Sequence, residues 1–348
     1  MSASNLENRV LAGGTGTYII AELSANHAGS LSHALDTIRA MKDAGADAVK
    51  LQTYTADTLT IDCDRPEFRV GEGTLWSGRT LYDLYQEAST PWEWHAELFA
   101  LAQELGMDCF SSPFDPTAVD FLETLDPPAY KIASFELVDL PLIEYVASKG
   151  RPVIMSTGMG SLDEISDAVQ VVQRAGVPLI LLKCTSSYPS LPEQMHLNTI
   201  PHLASTFGVT VGLSDHTLGI AVPVAAVALG ARVIEKHFTL SRETPGPDSA
   251  FSLEPAEFRA MVDAVRVTEQ ALGSINYTLT ASEEKSRAFR RSLFAIADIA
   301  AGETFTEQNV RSIRPGYGLP PKQLPTILGR TATEAIPRGT PLRDDLIG

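Results

Sequence analysis

The sequence has few cysteines, few basic residues and no long apolar run, and each shortage excludes a class of protein. Its three cysteines, Cys63, Cys109 and Cys184, are far apart in 348 residues and lack metal-binding spacing, so we expect reduced thiols. The 27 lysines and arginines against 43 aspartates and glutamates disfavour a nucleic-acid partner. There is no uninterrupted apolar run of about 18 residues and no signal-peptide pattern, so we expect a cytoplasmic protein without membrane contact.

Short apolar runs are present instead, and they alternate with amphipathic helical patterns over the first two thirds of the chain. The runs lie at residues 18–23, 48–54, 107–114, 129–134, 152–158, 178–185, 209–216 and 231–238. This alternation implies parallel strands with right-handed crossovers, and eight units predict an α/β fold, the (β/α)8 TIM barrel, rather than an open sheet. No G-x-G-x-x-G pattern follows the first run, which argues against dinucleotide binding.

The pattern is interrupted once and then changes near the end of the chain. Residues 55–89, after the second run, form an insertion too long for a simple strand–helix loop, which is typical of loops that shape a substrate site. We predict a catalytic barrel over 1–272, a linker over 273–289 and a small β-rich domain over 290–348. Because so small a domain buries little core, we expect it to dock on another surface.

Polar residues follow the predicted strands at the barrel end where functional groups collect. Period-two alternation places Glu235 with His237 on one face, and Ser214 with His216 on a face of the neighbouring strand. Either histidine alone would more often pack or hydrogen-bond than bind metal. Two imidazoles at adjacent strand ends, with oxygen ligands and open positions, suit a divalent cation such as Mn²⁺, Co²⁺ or Zn²⁺.

Two lysines, Lys50 and Lys131, alternate with apolar residues in otherwise buried strands. They either extend between the sheet and its helices or form an anion clamp with serine hydroxyls and helix N-termini. In a chain of formal charge −16, lysine and serine at successive strand ends predict a bound phosphate or carboxylate. Lys236 alternates onto the opposite face from His237, and we assign it no catalytic role.

The residues at these strand ends also resemble a known family. The motifs similar to the sialic acid synthase family are "KIASFE" (131–136), "MSTGMG" (155–160), "GLSDHT" (212–217), "EKHFT" (235–239) and "PGPDSAFSLEP" (245–255). "IRPGYGL" (313–319) resembles that family's antifreeze-like (SAF) domain. Within the family, residues 73–95 look most like the pseudaminic acid synthase branch.

The resemblance implies a transferase reaction with two substrates. Phosphoenolpyruvate would condense with an acylated amino sugar, 2,4-diacetamido-2,4,6-trideoxy-L-altrose, to give pseudaminic acid and phosphate. The alternative is a mannosamine-type sugar, as used by N-acetylneuraminate or legionaminate synthases. The family also implies a homodimer in which the C-terminal domain is swapped over the partner's site.

The resemblance further implies a role for individual residues. His216 and His237 would bind the metal, with Mn²⁺ the first candidate and Mg²⁺ or Co²⁺ the alternatives. Glu22, Glu136 and Glu235 would be the catalytic carboxylates. The residues implied to bind phosphoenolpyruvate are Lys50, Ser112, Lys131, Ser134, Ser156, Ser186 and Ser214. Those implied to face the sugar are Glu22, Gln52, Tyr188, Asp248 and Arg314.

Two positions depart from the sialic acid pattern and leave rival functions open. Ser186 stands where the N-acetylneuraminate-forming relatives usually carry asparagine, and Lys183 where they often carry histidine, which fits a different sugar. Lys183 could instead form a Schiff base in a metal-independent aldolase. A sugar-binding protein on an inactive barrel is a further alternative, but it predicts the loss of polar groups at several strand ends.

Overall fold

The computed structural model describes residues 4–71 and 73–348, so residue 72 of the insertion is outside it. The chain forms two compact units, one ending at Gly273 and the other running from Ser274 to Gly348. The finer division, with a linker at 273–289, stays a prediction.

The first unit contains a closed parallel barrel. Within the described residues its strands are β1 Tyr18–Glu22, β2 Ala48–Thr53, β3 Asp108–Pro113, β4 Tyr130–Ile132, β5 Val153–Ser156, β6 Leu179–Cys184, β7 Thr210–Asp215 and β8 Val233–His237. They hydrogen-bond in chain order, and β8 pairs with β1 to close the barrel. Each predicted apolar run contains one strand, and the prediction of a TIM barrel is confirmed.

Helices follow the strands, and most of those in the first unit cover the outside of the barrel. They are α1 Leu31–Asp43, α2 Ala56–Leu59, α3 Leu81–Ala88, α4 His95–Glu104, α5 Pro116–Glu123, α6 Leu140–Ala147, α7 Leu162–Ala175, α8 Thr199–Phe207, α9 Ala221–Ala228 and α10 Pro255–Leu272, with α11 Ala281–Ser286 and α12 Leu324–Ile327 in the second unit. Helix α7 begins at a capping box of Ser161 and Glu164, as the serine there predicts. None of the helices in the described residues combines the length and apolar character that a membrane span requires.

Side chains point alternately to the two faces of each strand, so the barrel wall separates an apolar core inside the barrel from a second one beneath the helices. Tyr18 and Ile20 of β1 point into the barrel, whereas Ile19 and Ala21 pack between the barrel and its helices. The next inward position of β1 is Glu22 at the carboxyl end of the strand. The same alternation on the other strands brings inward-facing polar side chains to one end of the barrel.

The second unit is strand-rich and has a core of its own. Strands β9 Ser292–Ala295 and β10 Val310–Ile313 pair in antiparallel fashion. Leu293, Phe305 and Leu342 belong to the buried cluster beneath them. Arg314 directly follows β10.

Candidate active site

The carboxyl ends of the strands surround a cavity of about 370 Å³ in the first unit. Most of the predicted site residues meet there. Those that line the cavity are Glu22, Lys50, Gln52, Lys131, Ser134, Glu136, Ser156, Tyr188, Ser214, His216, Glu235, His237 and Asp248. Ser112 and Ser186 do not line it, and Arg314 belongs to the other unit.

A buried ion-pair network forms the floor of this cavity. Lys50 Nζ lies 2.8 Å from Glu22 Oε2 and 2.9 Å from Glu235 Oε1. Ser214 donates a hydrogen bond of 2.9 Å to Glu235 Oε1, and Lys131 Nζ lies 4.0 Å from the same oxygen. Burial lowers the pKa of Lys131, whereas for Lys50 the two carboxylates outweigh burial and raise the pKa. The floor therefore holds paired charges in a region shielded from water.

Glu22 links this network to the sugar-facing residues. Gln52 Nε2 donates to Glu22 Oε1 at 2.8 Å and to Ser24 Oγ at 3.0 Å, and Ser24 in turn hydrogen-bonds Asp248. Burial alone would raise the pKa of Glu22, but the charges of His237 and Lys50 bring it below its usual range. Strand register explains the contact, because Glu22 of β1 is the direct neighbour of His237 on β8.

The two histidines predicted to bind metal lie side by side, with ring centroids 5.3 Å apart. His216 Nδ1 is 3.0 Å from the carbonyl oxygen of Thr185, which can only accept, so in the neutral ring this nitrogen carries the proton and Nε2 has the lone pair. His237 Nε2 is 3.1 Å from Glu22 Oε2. Its Nδ1 is buried and has no hydrogen-bond partner in the described part of the chain. Both imidazoles therefore have a nitrogen available for a cation.

The protein alone supplies few ligands for such a cation. Among residues 4–71 and 73–348, no group of three or more histidine, cysteine, aspartate or glutamate side chains has the arrangement of a metal site. The two histidines thus fit an ion that completes its coordination with substrate and water, as catalytic metals with open positions do.

Several buried polar atoms around the cavity have no partner among the described residues. Besides His237 Nδ1, they are Ser112 Oγ, Ser156 Oγ, Glu136 Oε2 and Glu235 Oε2. Buried polar groups in folded proteins are nearly always hydrogen-bonded. Their collection at one end of the barrel indicates a site shaped for a polar ligand.

Glu136 reaches the cavity from a short helical turn, Ser134–Glu136, that follows β4. Burial raises the pKa of its carboxyl to about 7, even though the charge of Lys131 acts in the opposite direction. A carboxyl with a pKa near neutrality can exchange protons under ordinary conditions, which suits a general acid or base.

Ser134 and Ser186 approach each other at Gly158, in the loop between β5 and α7. The Gly158 amide donates to Ser134 Oγ at 3.1 Å. A Cβ on residue 158 would lie 2.6 Å from Ser134 Oγ and 2.3 Å from Ser186 Oγ, so only glycine leaves room for both hydroxyls. Ser186 therefore lies beside the predicted phosphate ligands, although it does not line the main cavity.

Comparison with known proteins agrees with this architecture. The model of the NeuB family matches residues 37–277, and that of the SAF domain matches residues 290–347. The chain belongs to the NeuB family. Pseudaminic acid synthases from Campylobacter jejuni and Helicobacter pylori are 50% and 47% identical to it, each over 94% of this chain and over 95% and 96% of their own lengths. The recognition of the sialic acid synthase family is confirmed.

A solved structure supports the fold independently. The N-acetylneuraminic acid (sialic acid) synthetase of Leptospira borgpetersenii, crystallised with citrate, superposes with a TM-score of 0.70 at 32% identity. The match covers 78% of this NeuB-family chain and 90% of the other.

Two other lysines of this NeuB-family barrel point away from the cavity. Lys183 shares the outer face of β6 with Leu181, and its Nζ donates to the Cys184 carbonyl at 2.7 Å and to Thr185 Oγ1 at 3.0 Å. Since Lys183 does not line the cavity, the geometry does not favour the Schiff-base alternative. Lys236 is buried on the outer face, with Nζ 2.5 Å from Asp215 Oδ2.

Some residues that line the cavity are not among those predicted from the sequence. Cys184 was grouped with the ordinary thiols, but it alternates inward with Leu182 and lines the cavity beside His216. Burial would raise its pKa, and His216 instead lowers the pKa to about 7. The alternation of β6 was the signal that pointed to it. Trp76 and Phe251 also line the cavity; each lies in a segment that the sequence analysis singled out, but neither residue is predicted individually.

Proposed function

We propose that this chain condenses phosphoenolpyruvate with 2,4-diacetamido-2,4,6-trideoxy-L-altrose to form pseudaminic acid and phosphate. The observation that carries the proposal is the cavity in which the histidine pair, the lysine–glutamate network and Glu136 meet. The similarity to two pseudaminic acid synthases over nearly the whole chain supports the choice of sugar.

The phosphate and carboxylate of phosphoenolpyruvate would bind to the lysine half of the cavity. Lys50 and Lys131 provide fixed positive charge there, and preorganised donors of this kind stabilise developing charge in a water-poor site. The hydroxyls that would complete the binding belong to Ser112, Ser134, Ser156, Ser186 and Ser214. Those of Ser112 and Ser156 are buried without a partner among the described residues.

Charge balance supports the participation of a divalent cation. The charges of Lys50 and Lys131 are offset by those of Glu22 and Glu235, so these four side chains together carry no net positive charge towards a phosphorylated carboxylate. A divalent cation held by His216 and His237 would supply that charge and polarise the sugar's aldehyde oxygen. Mn²⁺ is our first choice, with Mg²⁺ or Co²⁺ as alternatives.

Glu136 would act as the general base for the water that completes the reaction. The methylene carbon of phosphoenolpyruvate, held within about 3–3.5 Å of the aldehyde carbon, forms the new carbon–carbon bond. Carbon 2 then becomes electron-poor and takes up water, whose proton passes to the Glu136 carboxylate. The aldehyde oxygen takes up one proton and becomes a hydroxyl. The tetrahedral species then loses phosphate by cleavage of its carbon–oxygen bond, while its own hydroxyl gives up a proton, which the departing phosphate takes up, and becomes the keto group.

The experiment that tests this proposal is phosphate release from phosphoenolpyruvate with a panel of sugars, with and without Mn²⁺. We expect release with the diacetamido-trideoxy-altrose, its loss after chelation and its return with Mn²⁺. A preference for N-acetylmannosamine would overturn the choice of sugar. Full activity in chelator, with borohydride trapping of pyruvate on Lys183, would overturn the metal-dependent reaction.

We also propose that the enzyme is a cytoplasmic homodimer. Arg314 of the partner subunit would then bind an N-acyl group of the sugar, which gives the small C-terminal domain the docking surface that its size predicts. This arrangement comes from the family resemblance, and mixing of subunits tests it, as described below.

A further inference from the structure

The described part of the insertion after β2, residues 55–71 and 73–89, forms one wall of the cavity, which we call the insertion wall. Its members that line the cavity are mostly apolar, namely Leu59, Val70, Trp76, Leu81, Leu84 and Ala88, and its polar members are Thr74 and Tyr85. Leu84 is buried and the other apolar members are partly exposed. The charged network of Lys50, Glu22 and Glu235 lines the same cavity, which therefore has an apolar part and an ionic part.

Trp76 fixes the position of this wall relative to the histidine pair. Its Nε1 donates to the Pro247 carbonyl at 2.8 Å, and its ring centroid lies 5.7 Å from that of Tyr188. Tyr188 in turn lies 4.4 Å from the His216 ring. Asp248, next to Pro247, has Oδ2 4.0 Å from His237 Nδ1. The insertion wall therefore stands on the side of the cavity assigned to the sugar.

An apolar wall distinguishes between the groups that a sugar can present to it. A hydroxyl placed against leucine and valine loses its hydrogen bonds to water and gains none in return. A methyl group removes apolar surface from water, which is favourable by about 0.8 kcal/mol per buried carbon. The wall thus suits a sugar that presents methyl groups, and not hydroxyls, to it.

We infer that the insertion wall selects acceptors in which carbon 6 is a methyl group and which carry N-acyl methyl groups, and that it rejects the counterparts in which carbon 6 bears a hydroxyl. This inference rests on the proposed function, because it assigns the specificity of the same site to particular residues. Apolar pockets discriminate a single added hydroxyl by roughly 10- to 100-fold, which sets the size of the expected preference.

The test compares two sugars that differ only at carbon 6, namely 2,4-diacetamido-2,4,6-trideoxy-L-altrose and its 6-hydroxy counterpart. The variant Leu59→Gln places an amide on the insertion wall at a partly exposed position. The matched control is Leu75→Gln, in the same insertion, because Leu75 is 50% exposed and does not line the cavity. Phosphate release gives kcat/KM for each sugar, and calorimetry in the presence of Mn²⁺ gives the two dissociation constants.

We expect the unaltered chain and Leu75→Gln to favour the deoxy sugar by about 10-fold or more, and Leu59→Gln to reduce that preference to a few-fold. Equal kcat/KM for the two sugars in the unaltered chain would overturn the inference. So would the same ratio in Leu59→Gln and in Leu75→Gln. If neither sugar releases phosphate, the proposed function fails. The inference about the insertion wall is then decided by the dissociation constants of the two sugars alone, and equal constants would overturn it.

Discussion

Glu136 and the Lys50 network show how neighbouring carboxyls of one site acquire different chemistry. Glu22 and Glu235 are held as anions by ion pairs with Lys50. Glu136 Oε2, in contrast, has no partner in the described part of the chain, and burial raises the pKa of this carboxyl to about 7. Carboxyls whose surroundings separate their pKa values are suited to different roles.

The variant Glu136→Gln tests the assigned role of this carboxyl. Since the ionised form must accept the proton of water, we expect phosphate release to rise as the pH increases through about 7. The amide should slow phosphate release by about 10²- to 10⁴-fold and remove that pH dependence. Glu104→Gln, at the exposed end of α4, is the control. An unchanged rate in Glu136→Gln would exclude the residue from the reaction.

Lys236 illustrates the opposite case of a charged residue next to a site but not in it. The side chains of Lys236 and Asp215 are both fully buried and form an ion pair outside the barrel wall, and Asp215 also accepts from the Thr217 amide at 2.9 Å. We therefore expect Lys236→Met to leave an uncompensated buried charge and to lower the free energy of unfolding by about 3–5 kcal/mol.

Urea unfolding of a second variant separates the charge effect from simple loss of packing. Adding Asp215→Asn to Lys236→Met removes the unpaired charge and keeps an acceptor for Thr217. Most of the lost stability should then return. A double variant as unstable as Lys236→Met alone would contradict this explanation.

At the scale of strands and loops, period-two alternation accounts for the part of the site that could be predicted. It correctly places His216, Glu235 and His237 inward and Lys236 outward, because a buried parallel strand leaves each side chain only two directions. The same rule applied to β6 would have placed Cys184 inward and Lys183 outward. The Schiff-base alternative rests on the position of Lys183 at the end of β6 and not on the direction of its side chain.

The remainder of the site depends on register and on long-range contacts, which leave no local pattern. Ser214 meets Glu235 because β7 and β8 pair these residues directly. Trp76 lines the cavity because its indole bonds a carbonyl 171 residues further along the chain. Neither the register nor the path of the insertion follows from residue types nearby, so the ion-pair network and the insertion wall could be described only from the structure.

The loop between β5 and α7 provides a prediction at the scale of an element. Because a Cβ on residue 158 would lie within 2.6 Å of both serine hydroxyls, Gly158→Ala must displace Ser134 and Ser186. Loss of hydrogen bonds to a charged ligand should raise the KM for phosphoenolpyruvate by about 10- to 100-fold, with little change in the KM for the sugar. Steady-state kinetics would measure both constants.

Gly71→Ala is the matched control, since a Cβ there meets no atom within 4 Å. If the KM for phosphoenolpyruvate is the same in Gly158→Ala, Gly71→Ala and the unaltered chain, then Ser134 and Ser186 do not hold this substrate.

At the scale of the whole molecule, the proposed dimer divides one site between two chains. Glu136 lies in the barrel unit and Arg314 in the C-terminal unit, each with its own core. If Arg314 of the partner subunit completes the sugar site, then each site takes Glu136 from one subunit and Arg314 from the other. Glu136→Gln and Arg314→Ala therefore remove residues that two different subunits contribute to one site. Two inactive variants should therefore restore activity to each other when their subunits are mixed.

The expected recovery can be calculated from symmetry. Random reassociation of equal amounts makes half of the dimers mixed, and each mixed dimer has one site with both residues intact, so activity should reach about a quarter of that of the unaltered enzyme. Phosphate release before and after subunit exchange measures this value. If Arg314 served its own barrel, every site in the mixture would keep one defect. Activity would then stay at the average of the two parent variants, which would exclude the swapped arrangement.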